Sequence, residues 1–126
     1  MSTILVIDDS TSFRAVVKLA LQRAGHTVLE AADGVQALAV LGDTLKVHLI
    51  VCDVNMPNMD GITFVKQAKQ HPRHRFVPIV MLTTEGQEAK KAEGRAAGAR
   101  AWIVKPFTPS QLLDAVTRLV PAGATA

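Results

Sequence analysis

The chain has 126 residues, enough for one domain with a single buried core. Its 48% hydrophobic and 20% charged residues argue against disorder, and no apolar run approaches the ~18 residues a membrane span needs. The net charge of +3 hints at acidic partners, but the basic residues are scattered, without interleaved aromatics or a Cys/His zinc pattern, so no DNA partner is expected.

In chain order, Ile4–Ile7 is the first apolar run and reads as a buried parallel strand. It begins too early to follow a signal peptide, so a cytoplasmic protein without membrane insertion is expected. Phe13, Val16, Val17, Ala20, Leu21 and Ala24 then recur on one helical face, with Gly25 as a C-terminal stop. A second strand is predicted over Thr27–Glu30. A second helix follows over Gly34–Leu41, with Asp33 as N-cap and Val35, Leu38 and Leu41 on one side. The third strand, His48–Cys52, leads to Asp53 and a loop dense in turn formers, Val54 to Gly61.

Asp60 is placed as N-cap of the third helix, which turns Ile62, Val65 and Ala68 inward and ends by His71-Pro72. The fourth strand is Val77–Leu82. The fourth helix, about Gln87–Ala97, contains Gly94, which costs about 1 kcal/mol relative to Ala in a helix interior. A fifth strand, Ala101–Val104, precedes Lys105-Pro106. The fifth helix opens near Pro109 and carries Leu112, Leu113, Val116, Leu119 and Val120. The tail, Pro121–Ala126, is expected to fray. The pattern is (βα)₅, an α/β doubly wound parallel sheet in one domain (residues 1–126, core about 3–120) with no output domain.

Polar residues follow four of the five apolar runs: Asp8-Asp9, Asp53, Thr83-Thr84 and Lys105. Ligands of open α/β sheets bind outside the carboxyl ends of the strands, so these residues converge on one edge. Adjacent carboxylates at Asp8-Asp9 suit Mg²⁺, which takes hard oxygen ligands; the alternative is that Asp9 and Ser10 cap the first helix. Asp53 reads as a nucleophile on phosphorus or as a loop cap. Lys105 is a point charge suited to phosphate, or a surface lysine before a turn; its bond to Pro106 can be cis. Thr83 and Thr84 offer hydroxyl donors, or simply finish a strand. Cys52, the one cysteine, lies within an apolar run and reads as a small buried hydrophobe. Packing roles are expected for Met56, Met59 and Met81, and neither metal nor relay roles for His26, His48, His71 and His74.

Asp8-Asp9, Asp53 with Met56-Pro57 and Asp60-Gly61, Thr83, and Lys105-Pro106-Phe107 together resemble the receiver domain of two-component response regulators. Within that family the chain is most similar to stand-alone chemotaxis regulators, over residues 3 to 120. The resemblance implies a flavodoxin-like sheet with strand order 2-1-3-4-5. It also implies Asp53 as phospho-accepting nucleophile, with Mg²⁺ held by Asp9 directly, by Asp8 partly through water, by Asp53, and by the backbone carbonyl of Asn55. Lys105 would pair with Asp53 and then with the phosphoryl group, which Thr83 would also bind. Trp102 stands where the family has its switch aromatic, usually Tyr or Phe. Asn55 and Glu85 would flank the water that ends the phosphorylated state.

The implied partners are a sensor histidine kinase or phosphotransfer domain upstream and a protein target downstream, such as a flagellar motor switch. The protein would be no enzyme beyond its own phosphorylation and dephosphorylation. A phosphate sink or a phosphorelay intermediate are alternative outputs. An aspartate-nucleophile phosphatase would need Asp-x-Asp after the first strand, where Asp-Asp-Ser stands. A flavodoxin-type redox carrier would need aromatic rings for the flavin, and the chain has no Tyr and one Trp.

Overall fold

The computed structural model describes residues 2–84 and 88–120. The elements, in order, are β1 (Thr3–Ile7), α1 (Thr11–Arg23), β2 (Thr27–Ala31), α2 (Gly34–Asp43) and β3 (Leu49–Asp53). Then come α3 (Gly61–Ala68), β4 (Ile79–Thr84), α4 (Glu88–Ala97), β5 (Ala101–Lys105) and α5 (Pro109–Leu119). All four strand pairings are parallel, in the order β2-β1-β3-β4-β5. The proposed helix start at Gln87 and the tail Pro121–Ala126 lie outside the described residues.

The strand side chains alternate between two cores, as a period of two requires. Leu5, Ile7, Ile50, Cys52, Ile79 and Met81 face α2 and α3 and pack with Leu41, Phe64 and Val65. Ile4, Val6, Leu49, Val51, Val80 and Leu82 face α1 and α5 and pack with Val17, Leu21, Leu112 and Val116. Each fully buried aliphatic side chain contributes roughly 1.5–3 kcal/mol of transfer free energy.

Two helix faces are narrower than their periodicity suggests. Val16 on α1 is 62% exposed and Val35 on α2 is 54% exposed, although each shares the apolar face read from the sequence. On α1 the covered stripe is Val17 and Leu21, one turn apart. On α2 it is Gly34, Ala37 and Leu41, with Gly34 lying against the Met59 side chain.

Four strands also run past the ends of their apolar runs, β2 by Ala31 and the other three by polar residues. Asp53 pairs with Leu82, Thr83 with Val104 and Thr84 with Lys105, so these polar residues belong to the ladder itself. β4 starts two residues after Val77, because Pro78 has no N–H to donate; its carbonyl accepts from the Ile50 N–H at 3.0 Å.

Side-chain caps start α1, α2, α3 and α5. Ser10, Asp33 and Asp60 accept from the Phe13, Gln36 and Thr63 amides, and Thr108 forms a reciprocal capping box with Gln111. Gly25, at φ +94°, turns the chain after α1. Gly61 meets a different constraint: a Cβ there would lie 2.2 Å from the Asp53 carbonyl oxygen. Gly61→Ala is therefore expected to lower stability by about 1–3 kcal/mol in urea unfolding. Gly42→Ala, on α2 with nothing within 4 Å of the new methyl, should instead raise it by up to about 1 kcal/mol.

Candidate functional site

The carboxyl ends of β1, β3, β4 and β5 meet at one edge of the sheet. Asp8 directly follows β1 and is 1% exposed. Its Oδ1 accepts from the Ser10 N–H at 2.9 Å, and its backbone carbonyl accepts from Arg14 Nη1 at 2.6 Å. Asp9 is exposed beside it, and Ser10 alone caps α1. Asp53 ends β3 and is 7% exposed, with Oδ1 accepting from the Asn55 N–H at 3.3 Å. Carboxylate oxygens of Asp8, Asp9 and Asp53 all lie within 4.8 Å of one another.

Lys105, the last residue of β5, reaches across this cluster. Its Nζ donates to Asp8 Oδ2 at 2.9 Å and forms an ion pair with Asp53 Oδ2 at 3.4 Å. The shorter contact thus goes to Asp8, whereas the resemblance named Asp53 as the first partner. The Phe13 ring fixes the ammonium from the other side, with Nζ 4.1 Å from the ring centroid. Phe107 supports Phe13 edge-on at 5.7 Å. The Lys105–Pro106 peptide bond is cis.

Burial pushes the Asp53 carboxyl above its ordinary range. Lys105 opposes that shift, the neighbouring Asp8 charge adds to it, and the Asn55 N–H opposes it again. Cys52, next to Asp53, is fully buried and donates its S–H to the Asp53 carbonyl at 3.3 Å. Burial, with the nearby carboxylates, drives its thiol well above the usual range, so it stays a neutral packing group.

Thr83 is buried on β4, one residue beyond the Asp53–Leu82 pair. Trp102 lies on β5 opposite Met81 and is half-buried. Its indole packs directly onto α4: a Cβ on Gly94 would lie 2.2 Å from Trp102 Cζ2 and 2.5 Å from Cη2. Gly94 is thus matched to the size of Trp102. Asn55 is exposed in the loop after β3, and Glu85 lies outside the described residues.

Asp8, Asp9, Asp53 and Lys105 are therefore brought together as the sequence suggested. Asp60 stands apart as the cap of α3. Sequence reasoning assigned Phe13 only to a helix face and Arg14 only to a basic helix surface, yet both touch the site. The signal for Phe13 was its place in the first turn after Asp8-Asp9-Ser10; only the fold shows Lys105 above it.

A strand-end acid cluster bridged by a lysine, on a five-stranded parallel sheet in this order, is the constellation of a response regulator receiver domain. The model of that family, "Response regulator receiver domain", matches residues 4–117, and the chain belongs to it. It is 39% identical over 121 residues to a chemotaxis protein CheY homolog of Campylobacter jejuni, covering 95% of this chain and 93% of the relative. It is 41% identical over 112 residues to chemotaxis protein CheY1 of Helicobacter pylori, covering 88% of this chain and 90% of the relative. The structure of chemotaxis protein CheY4 of Vibrio cholerae superposes with a TM-score of 0.90 at 46% identity, covering 95% of this chain and 99% of that one. The chain is a CheY-like receiver of two-component signalling.

The raised carboxyl pKa of Asp53 sets a pH-dependent stability. A carboxyl whose folded pKa lies above its unfolded value costs stability when ionised, and the cost vanishes as pH falls through the folded pKa. Without added divalent cation, Asp53→Asn is expected to be more stable than wild type near pH 7 by about 1 kcal/mol. The difference should close towards about pH 4, read by paired urea titrations. Gly94→Ala tests the second contact. The usual gain of about 1 kcal/mol for Gly→Ala in a helix should reverse to a loss of about 1–3 kcal/mol. Trp102 fluorescence should shift to the red as the indole is displaced towards water.

Proposed function

We propose that Asp53 accepts a phosphoryl group from a phosphohistidine on a sensor kinase or phosphotransfer domain, and that the phosphorylated chain signals by binding a protein target. The observation that carries this reading is the Lys105 ammonium spanning Asp8 and Asp53 at 2.9 and 3.4 Å, with Asp9 completing a three-carboxylate cluster. Hard oxygen donors in this number fit Mg²⁺, which would be held by Asp8, Asp9, Asp53 and the backbone carbonyl of Asn55. When bound, it supplies positive charge to the phosphoryl oxygens.

The chain's own residues do the rest. An Asp53 carboxylate oxygen attacks phosphorus in line with the leaving histidine nitrogen, and the P–N bond breaks as the P–O bond forms. Lys105 is the cation that accompanies the phosphoryl oxygens, and the Phe13 ring keeps its Nζ over the site. Thr83 is one residue along β4 from the partner of Asp53, and its hydroxyl donates to the phosphoryl group once that group is in place. Movement of Thr83 then biases two states of α4 and Trp102. The resemblance assigns Asn55 and Glu85 to the hydrolytic water, a pairing that would keep the phosphorylated state short-lived.

Apolar residues beside the site suit a docking helix of the phosphodonor: Phe13, Val16, Ala20, Phe107 and Pro109 line a crevice between α1 and α5. A second groove, of about 560 Å³, runs along β5 and α5 between Trp102, Val104 and Arg118. It suits the downstream partner, for which the flagellar motor switch is the favoured candidate given the chemotaxis relatives. The place of action is the cytoplasm; no described helix is long and apolar enough to cross a membrane.

Phosphotransfer from a labelled sensor kinase and from acetyl phosphate tests this reading. Wild type should take up label, and Asp53→Asn should show none above background. Chelation of divalent cations should slow uptake by about 100-fold or more. A wild type that stays unlabelled with every donor would refute the proposal.

A further inference from the structure

The fold makes a molecule with two unlike ends. The carboxylates gather where the strands finish. The opposite edge collects the strand starts and the helix C-termini, and there the α2–β3 and α3–β4 connections, residues 44–48 and 69–78, lie side by side. His74 is buried and ties them: its Nε2–H donates to the Leu41 and Thr44 carbonyls at 3.0 and 2.9 Å. Arg73 Nη2 donates to the Gly42 carbonyl at 2.7 Å. Two carbonyls of the last turn of α2, Leu41 and Gly42, are thereby satisfied, and the two loops form one platform.

This platform holds outward the two most exposed large apolar side chains among the described residues, Leu45 at 82% and Phe76 at 81%. Leu45 directly follows the tethered Thr44, and Phe76 is two residues beyond His74. The Arg75 guanidinium lies 4.8 Å from the Phe76 ring centroid. Lys46 adjoins Leu45 and Arg75 adjoins Phe76 in sequence, Arg73 is tethered to Gly42, and all three are exposed; neither segment contains a carboxylate, the nearest in sequence being Asp43 at the end of α2. Neither Leu45 nor Phe76 lines the β5–α5 groove or the crevice between α3 and α4. They project from loops, so a rigid protein partner would have to supply a cavity for each.

We propose that this end is a peripheral docking surface for an anionic lipid bilayer. Phe76 and Leu45 would enter the headgroup region while Lys46, Arg73 and Arg75 meet the lipid phosphates. A soft interface accepts two projecting apolar groups without a preformed pocket, and its negative charge complements the cationic rim. The contact is a surface one, added to the expectation that nothing here spans the membrane. It would leave the Asp53 edge facing away from the lipid and free to meet a phosphodonor.

Vesicle co-sedimentation tests the proposal with the unphosphorylated chain, so its outcome does not depend on phosphorylation of Asp53. Partitioning is expected onto phosphatidylglycerol-containing vesicles and not onto pure phosphatidylcholine, weakening as salt rises. Phe76→Ser and Leu45→Ser should each reduce it about tenfold, and Leu19→Ser, at an exposed apolar position on α1, should leave it unchanged. Absence of partitioning onto anionic vesicles would overturn the proposal, as would partitioning indifferent to Phe76→Ser and Leu45→Ser. Competition by free glycerol phosphate at matched concentration would assign the site to a soluble anion instead. Capture by polyglutamate without vesicle binding would assign it to an acidic polypeptide.

Discussion

Crowded negative charge is the constraint around which this molecule is arranged. Asp8 and Asp53 are nearly removed from water, and each carries a carboxylate that costs several kcal/mol to bury ionised without a partner. One ammonium, brought from a residue 97 positions along the chain, answers both. It cannot answer all three carboxylates, so the edge keeps an excess of negative charge that a divalent cation would relieve. Burial raises the pKa of Asp53, and the neighbouring Asp8 charge adds to that shift against the opposing pull of Lys105. Such a site has its own fold pushing for an added cation, and an added cation in turn makes a place for phosphate.

The scaffold makes this tension tolerable by holding the groups on rigid elements. Asp53 and Lys105 are the last paired residues of β3 and β5, Thr83 is the last but one of β4, and only Asp8 and Asp9 stand beyond a strand end. Their spacing is therefore set by sheet register. Gly61 lets the start of α3 lie against the Asp53 carbonyl, and the Phe13–Phe107 pair walls the lysine from the other flank. On the far side of β5, the absence of a side chain at Gly94 lets the Trp102 indole lie against α4. Helix position and indole position are thus linked through steric contact, the kind of bistable packing a signal can use.

Strand count, helix count and the convergence of the acid cluster were legible in the sequence, because buried parallel strands are unbroken apolar runs and each polar residue follows one of them. Strand ends were less legible: hydrophobicity marks burial, whereas the ladder continues through Asp53 and Thr84 on backbone hydrogen bonds alone. Val16 and Val35 misled because an apolar residue on a helix flank has the period of a core residue without its depth. Contacts between distant segments, such as Phe13 over Lys105 or Trp102 against Gly94, leave no local signature. In the sequence Gly94 looked only like a helix weakness; its partner, eight residues on, explains it.

The most direct test of the central claim is to locate the phosphoryl group chemically. Treating the chain with acetyl phosphate and Mg²⁺, reducing the acyl phosphate with borohydride and mapping the peptides by mass should convert residue 53 to homoserine. Asp8 and Asp9 should stay intact. Conversion at Asp8, Asp9 or Asp60 in place of Asp53, or no conversion at any carboxylate, would contradict the assignment of nucleophile and supporting carboxylates described here.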